Sequence, residues 1–383
     1  MLKIRFIAST LVLFILMWVV PSTVMAEMSE QELRLLALEE KQQANAVLLE
    51  VMKRFTWGGD LRTRYQIDTR AQTGSNVLDR SRFRLRFRLK GKVHLYKDLD
   101  IGFRFVTGSL GSQTSANSTF DGGFGNKAFD LDRAYFKWNP HSFQLTGGKF
   151  AVPFMKSELV WDGDVNVEGI SEGFSRKMGD TKIEIVLGQF VIDEINPGDD
   201  IVLLAYQGIM EQKTQLGKFK FAVAYYDYLN HEDPGSAPTG AVSNSTTSEV
   251  KVVDVMGEWS EKIYGKKLKL FGEYAQNTGT LASGNDDLDT AWQLGAKYGK
   301  SGKKFGDYDL KFIYRVVQTE AVLDALADSD FHSGVNNARG FEAGGGIGLA
   351  KGVKLAFTYF NTQEERGTSD EKQTFQADLK FKF

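Results

Sequence analysis

Basic and apolar residues alternate without interruption between residues 82 and 90. The basic positions are Arg82, Arg84, Arg86, Arg88 and Lys90, and the apolar positions are Phe83, Leu85, Phe87 and Leu89. Guanidinium groups stay charged at physiological pH, and their paired donors match the oxygens of carboxylates and phosphates. Such a row of side chains can attract and bind anions if it faces water.

The spacing predicts the element that carries this row. Successive side chains of a β-strand point to opposite faces, so residues 82–90 would form a strand with one cationic and one apolar face. Burying the cationic face in an apolar core would be costly, and it must therefore meet water or acidic partners. The apolar face must meet either a protein core or lipid.

The same alternation recurs from Thr56 to the end of the chain. We predict sixteen strands in this region, and most of them have about ten residues, the length that a tilted strand needs to cross a bilayer. The predicted strands are 57–67, 80–90, 99–107, 129–138, 143–150, 168–178, 181–190, 200–208, 216–227, 249–260, 267–276, 290–299, 307–317, 339–349, 354–361 and 374–383.

The connections between these strands alternate in length. The long polar connections are 68–79, 108–128, 151–167, 191–199, 228–248, 277–289, 318–338 and 362–373. The short ones are 91–98, 139–142, 179–180, 209–215, 261–266, 300–306 and 350–353. A transmembrane barrel keeps short turns at one end and long loops at the other, whereas a β-sandwich has no reason to do so. The sequence therefore predicts an all-β fold, a sixteen-stranded antiparallel transmembrane β-barrel over residues 55–383.

Residues 1–26 have the features of a secretory signal peptide. Lys3 and Arg5 precede an apolar run, and a small-residue cleavage site follows it at 24–26. A membrane-anchoring helix is the alternative reading, but the apolar run is short and Pro21 comes directly after it. An exported chain without cysteine has no disulfides, so its stability must come from a large hydrogen-bonded framework.

Residues 27–54 are predicted to form a short helix. Mostly apolar residues recur in it at alternating spacings of four and three, namely Leu33, Ala37, Glu40, Ala44, Val47 and Val51. This heptad spacing could join identical chains in a periplasmic coiled coil. The alternative is a single amphipathic helix that packs on the barrel or plugs it.

If the apolar sides of the strands face lipid, their polar sides line a water-filled lumen. The alternation then places nine basic residues on one wall, which we call the basic wall. Its members are Arg62, Arg64, Arg82, Arg84, Arg86, Arg88, Arg104, Arg133 and Lys137. A basic wall in a confined channel raises the local concentration of anions. Alternatively, these residues pair with carboxylates in the lumen and only hold the wall rigid.

Several short motifs stand in order on the fourth to sixth predicted strands. They are Arg133-Ala134-Tyr135, Gly147-Gly148-Lys149-Phe150 with Pro153-Phe154, Trp161-Asp162, and Asn166 with Glu168 and Gly169. With these motifs the chain resembles Gram-negative outer-membrane porins, and among them it is similar to the phosphate-selective porin O/P family. The resemblance implies a homotrimeric channel that admits small solutes, with anions and phosphate as candidates.

The resemblance also implies two further features. In such porins the loop after the fifth strand folds inward and narrows the pore, and here this constriction loop would be residues 151–167. The charged candidates in and beside it are Lys149, Lys156, Glu158, Asp162, Asp164 and Glu168. The C-terminal Phe383 resembles the signal by which the outer-membrane assembly machinery recognises its clients.

Other kinds of site find little support in the sequence. The four histidines are isolated from one another, so we predict no metal site: His94, His141, His231 and His332. No arrangement of Ser, His and Asp indicates a hydrolase, and we predict neither catalytic activity nor a cofactor. A formal net charge of −2 gives no indication of nucleic-acid binding.

The sequence thus predicts a diffusion channel in the outer membrane of a Gram-negative bacterium, in contact with lipid and lipopolysaccharide. A structural or adhesive barrel is the first alternative, with its lumen closed by the N-terminal helix or the long loops. The second is a soluble secreted β-protein that binds ligands. That protein would have to bury its apolar faces against another sheet.

Overall fold

The structure is a computed structural model. It describes residues 30–71, 78–108, 112–196, 198–231, 244, 248–285, 287–367 and 370–383. The chain divides into two units, Met1–Phe55 and Thr56–Phe383, which are described separately. The predicted signal peptide lies outside the described residues.

The described part of the first unit contains one helix, α1, over Glu30–Lys53. Several of its large apolar side chains are exposed: Leu35, Leu36, Leu38, Leu49 and Met52. Among the described helices, none is both long and apolar enough to span a membrane.

The second unit is a single antiparallel sheet of seventeen strands, sixteen of them long. They are β1 (Phe55–Ala71), β2 (Leu78–Tyr96), β3 (Leu99–Thr107), β4 (Ser118–Thr119), β5 (Phe129–Trp138), β6 (Phe143–Ala151), β7 (Asn166–Met178), β8 (Thr181–Asp193), β9 (Ile201–Thr214), β10 (Gly217–Leu229), β11 (Val250–Ile263), β12 (Lys266–Asn277), β13 (Thr290–Gly299), β14 (Tyr308–Val317), β15 (Ala338–Ala350), β16 (Val353–Glu364) and β17 (Glu371–Lys382). The two-residue β4 lies in a loop and pairs with β2.

The sheet closes on itself because β17 pairs with β1, with Asp378 opposite Arg64. Each long strand pairs with the next along the chain, so the predicted sixteen-stranded antiparallel barrel is confirmed. Several strands are longer than predicted. The stretch 200–208 belongs to a strand that continues to Thr214, and the turn predicted over 91–98 shrinks to two residues between Tyr96 and Leu99.

The two sides of the strands differ as the alternation predicts. On β2 the phenyl ring of Phe83 is 57% exposed on the outside, whereas on β1 the side chain of Arg64 is only 5% exposed. Long strands with apolar outer faces are typical of a barrel that crosses a membrane. The largest cluster of buried apolar residues lies inside the barrel, between the wall and the loops that fold into it.

A β-bulge in β5 adjusts this alternation. Arg133 is opposite Arg104, but the next pair is Leu131 with Phe105, so Asp132 is an extra residue on β5. A bulge lets two consecutive side chains point to the same face. Asp132 and Arg133 both use it to face the lumen, where Asp132 pairs with Arg104.

Candidate functional site

The structure brings the predicted basic wall together on the inner face of β1, β2, β3 and β5. Eight of its nine residues bind other side chains. Five of its arginines form salt bridges with carboxylates: Arg64, Arg82, Arg86, Arg88 and Arg104. Three others donate hydrogen bonds to neutral side chains: Arg62, Arg84 and Arg133.

The ion pairs of this wall are shared and mostly shielded from solvent. Arg64 forms a forked pair with Asp378, with N–O distances of 2.7 and 3.1 Å, and it also reaches Asp330 at 3.1 Å. Arg86 and Arg88 both contact Asp60, at 2.9 and 2.7 Å. Such pairs fix the arginines in place and neutralise much of their charge.

The constriction loop is found inside the barrel, over residues 152–165 between β6 and β7. Trp161 anchors it: the indole is 1% exposed and lies edge-on to Tyr226, with 5.5 Å between ring centres. Gln207 binds both backbone groups of Met155, because its amide accepts from Met155 N at 2.7 Å and donates to Met155 O at 2.8 Å. Apolar packing and these hydrogen bonds together hold the loop against the wall.

Four of the predicted constriction residues lie in this loop and face the lumen. Asp164 lies 3.3 Å from Arg88 and 3.7 Å from Arg86, so it faces the basic wall. Asp162 is buried, and the Nζ of Lys156 donates to its backbone oxygen at 2.7 Å. Glu158 lines the cavities on both sides of the loop.

The other two predicted constriction residues do not face the lumen. Lys149 lies in β6 and Glu168 in β7, directly opposite one another, and their side chains form an ion pair. Both stand on the outward-facing side of their strands, where Glu168 is 60% exposed. The inward positions of β6 belong to residues such as Thr146 and Phe150, and a shift of one residue reverses the face in a strand.

A second inward loop, residues 318–337 between β14 and β15, was not predicted. Residues 320–328 are all buried, although Glu320, Asp324 and Asp328 are acidic. Their apolar neighbours carried the missed signal: a long polar connection has no reason to contain Ala321, Val322, Leu323, Ala325, Leu326 and Ala327 unless it is packed.

The second inward loop and the constriction loop are hydrogen-bonded to each other. The backbone N–H of Asp162 donates to Leu326 O at 2.7 Å, and that of Asp328 donates to Glu158 O at 3.2 Å. The carboxylate of Asp162 accepts from both the N–H and the hydroxyl of Ser329, at 3.0 and 3.1 Å. The two loops therefore form one constriction rather than two separate flaps.

Two carboxyl groups of this constriction have raised pKa values. Burial, together with the nearby Asp328 carboxylate, raises the pKa of Asp162 to about 8. Burial and the charge of Glu158 raise the pKa of Asp328 to about 6, although Arg315 opposes this shift. Both groups therefore change charge in or near the physiological range of pH.

A second set of cations lines the opposite wall, on the inner face of β12, β13 and β14: Lys269, Lys297, Lys311 and Arg315. The sequence prediction placed the basic residues on one wall and missed these. The same alternation could have found them, since each shares a face with polar residues of its strand. Lys269 pairs with Glu258 at 2.5 Å, Lys311 pairs with Glu342, and Arg315 pairs with Asp328 at 2.8 Å.

Two of the cavities that adjoin the constriction have volumes of about 330 Å³ each. The arginine-side cavity is lined by Arg62, Arg64, Arg86, Arg88, Lys311 and Lys380 and by seven acidic residues. The lysine-side cavity is lined by Lys156, Lys269, Lys297, Lys311 and Arg315 but by only three acidic residues. Both include Glu158, Gly163 and Lys311, so they meet around the constriction loop.

Within the part of the chain that the structure describes, no group of three or more His, Cys, Asp or Glu side chains could hold a metal ion. The C-terminal Phe383 completes the wall. Its backbone exchanges hydrogen bonds with Gly59, at 2.9 and 3.2 Å, and its exposed ring stacks on Phe87 of β2, 6.3 Å between centres.

A closed barrel of sixteen long strands, apolar outside and charged within, with a loop folded into its lumen, has the architecture of an outer-membrane porin. The family described as "Putative porin" matches residues 68–256 and 246–383. The chain belongs to this family. No curated protein matches the sequence.

Solved structures agree with this fold. OprB of Pseudomonas putida in its high-pH structure has a TM-score of 0.56 at 11% identity, over 88% of this chain and 96% of that chain. OmpF of Salmonella typhi, in a complex with daunomycin, has a TM-score of 0.50 at 10% identity, over 86% of this chain and 97% of that chain. At these identities the likeness concerns the fold alone.

Proposed function

We propose that the chain forms a water-filled channel through which small hydrophilic solutes diffuse across the outer membrane of a Gram-negative bacterium, without catalysis. One observation carries this proposal: the barrel is apolar on its outer face and lined by charged side chains within. Apolar outer faces suit lipid and the lipid part of lipopolysaccharide, whereas buried charges need water or partners.

We further propose that the channel prefers anions, and that this preference arises mainly on the lysine side. Acidic residues outnumber basic ones in the lining of the arginine-side cavity, and five of its neighbouring arginines are already paired. The lysine-side cavity has an excess of basic residues. Most guanidinium groups of the basic wall already bind other side chains. We therefore expect a general preference for anions rather than strict selectivity for phosphate.

The cellular setting belongs to the same proposal. Residues 1–26 would direct export, Phe383 would be read by the assembly machinery, and the chain would form homotrimers. The heptad spacing of α1 would join identical chains in a periplasmic coiled coil, and the described members of that spacing, Ala37, Glu40 and Ala44, are all exposed.

Single-channel recording in planar lipid bilayers tests the proposal. We expect long-lived conductance steps and, under a salt gradient, a zero-current potential on the anion-selective side. If the correctly folded protein shows no conductance steps, that result would support a structural or adhesive barrel instead. That alternative is favoured by one observation, the two buried loops that occupy the lumen.

Raising the pH from about 5 to about 9 should weaken anion preference in two steps. A carboxyl group is neutral below its pKa and negative above it, so Asp328 adds a charge near its pKa of about 6 and Asp162 adds one near its pKa of about 8. The anion-to-cation permeability ratio should fall at each step. It is measured from zero-current potentials across the pH range, and a ratio independent of pH would contradict this assignment.

The variant Asp162→Asn provides the matched control for this titration. It keeps the size of the side chain and an oxygen that can accept from Ser329, but it cannot ionise. We expect it to lose the step near pH 8 that the pKa of about 8 predicts, and to retain the step that belongs to Asp328.

A further inference from the structure

The lysine-side cavity contains an aromatic ring that faces the lumen. Phe271 of β12 packs over Gly295 of β13, where a Cβ atom would lie only 2.3 Å from its Cζ atom. Glycine therefore lets the ring lie close against the wall. The ring is half-buried, so part of its surface remains open to a solute.

Two ammonium groups lie over this ring. The Nζ of Lys297 lies 5.3 Å and that of Lys269 lies 5.9 Å from the ring centre. Lys269 is already paired with Glu258. Lys297, by contrast, is exposed and makes no salt bridge to any residue that the structure describes, so its charge is available to an anion.

The rest of the cavity adds an apolar surface of adaptable shape. Met155 of the constriction loop, Met256 of β11 and Ile313 of β14 all line it. Thioether side chains adjust readily to flat or irregular ligands. A cavity of about 330 Å³ is at the small end of the range for ligand sites, which suits a single ring with one charged group.

We propose that the lysine-side cavity is a binding site for small organic anions with a flat apolar body, such as aromatic carboxylates. The ring of the solute packs against the exposed part of the Phe271 ring, and its carboxylate meets the ammonium of Lys297. Chloride, phosphate and acetate carry a negative charge but have no flat apolar ring. The arginine-side cavity offers no comparable surface, because Phe360 is the single aromatic or aliphatic residue in its lining.

The role of this site in permeation rests on the proposed channel, whereas binding of the aromatic anion does not. A site on a diffusion path has to retain its solute long enough to favour entry and release it quickly enough to allow exit. We therefore expect weak binding, with dissociation constants on the order of a millimolar. A bound ring would interrupt the passage of smaller ions while it is present.

The test compares benzoate with acetate, which has the same charge and no ring. In bilayers carrying the wild-type protein, benzoate should interrupt the chloride current at concentrations on the order of a millimolar, whereas acetate should not. Phe271→Leu and Lys297→Gln should each raise the half-blocking benzoate concentration about tenfold, and Phe271→Tyr should preserve the block.

Two further variants separate this site from general effects. Gly295→Ala changes no charge but displaces the ring, so it should weaken benzoate block as Phe271→Leu does. Lys220→Gln removes an inward-facing lysine of β10 outside the cavity and should leave the block unchanged. Benzoate titrated calorimetrically into the detergent-solubilised protein measures binding without requiring conduction.

The outcomes distinguish the site from the channel. If the wild type conducts but benzoate acts no better than acetate, or if Lys297→Gln and Phe271→Leu bind benzoate like the wild type, the aromatic site is overturned and the channel stands. If the folded protein binds benzoate but never conducts, the proposed channel is overturned and the site stands.

Discussion

Replacing Arg82, Arg86 and Arg88 together by glutamine is expected to shift the ion selectivity of the channel towards cations. Each of these arginines is paired in the wild type, and their removal leaves the carboxylates of Asp60, Asp68 and Asp164 without their arginine partners. Like charges concentrated in a narrow lumen attract counter-ions, so the anion-to-cation permeability ratio should fall about tenfold. Zero-current potentials under a potassium chloride gradient measure this ratio.

The control removes the partners as well. In a sixfold variant that also carries Asp60→Asn, Asp68→Asn and Asp164→Asn, the charge of the lumen is unchanged from the wild type. Its permeability ratio should therefore return close to the wild-type value. A triple arginine variant with an unaltered ratio would show that these residues only hold the wall rigid, and that the ions pass elsewhere.

Shortening the second inward loop should widen the channel. Residues 320–328 are buried and hydrogen-bonded to the constriction loop, so a Gly-Ser linker in their place would vacate part of the lumen. Conduction depends on pore diameter, and we expect single-channel conductance to rise roughly twofold. The deletion also removes Asp328 from Arg315, which should strengthen anion preference.

A deletion elsewhere controls for loop removal as such. Residues 120–125, between β4 and β5, are exposed, and the side chain of Phe124 is fully exposed. Shortening this segment should leave conductance unchanged. If both deletions change conductance equally, or if the inner one has no effect, the second inward loop does not lie on the conducting path.

Much of the barrel follows from the alternation of residue types. Phe83 and Arg84 occupy opposite faces simply because they are neighbours in a strand, and this relation needs no knowledge of distant contacts. The same reasoning placed Arg62, Arg64 and Arg104 in the lumen, where the structure finds them buried. What it could not supply was their partners, since Asp378 lies at the other end of the chain from Arg64.

The loops were less predictable because their positions depend on tertiary packing. Strand β9 contained a hint: it is apolar on both faces, and its inward residues Leu203 and Ala205 pack in the cluster that contains Trp161. When the inner face of a barrel strand is apolar, a loop inside the barrel is expected to cover that face. Lys149 and Glu168 were misplaced for a related reason: their apolar neighbours Phe150 and Val167 pack against the loop inside the barrel rather than face lipid, which turns Lys149 and Glu168 outward.

The central claim is that successive side chains of β2 face lipid and the lumen in turn. Because the chain contains no cysteine, a thiol introduced at any single position is the only one present. We would place cysteine singly at each position from 83 to 88 and add a charged, membrane-impermeant thiol reagent while recording current. The account predicts that the current changes at positions 84, 86 and 88 and stays constant at 83, 85 and 87. Modification at 83, 85 and 87 with none at 84, 86 and 88 would contradict it.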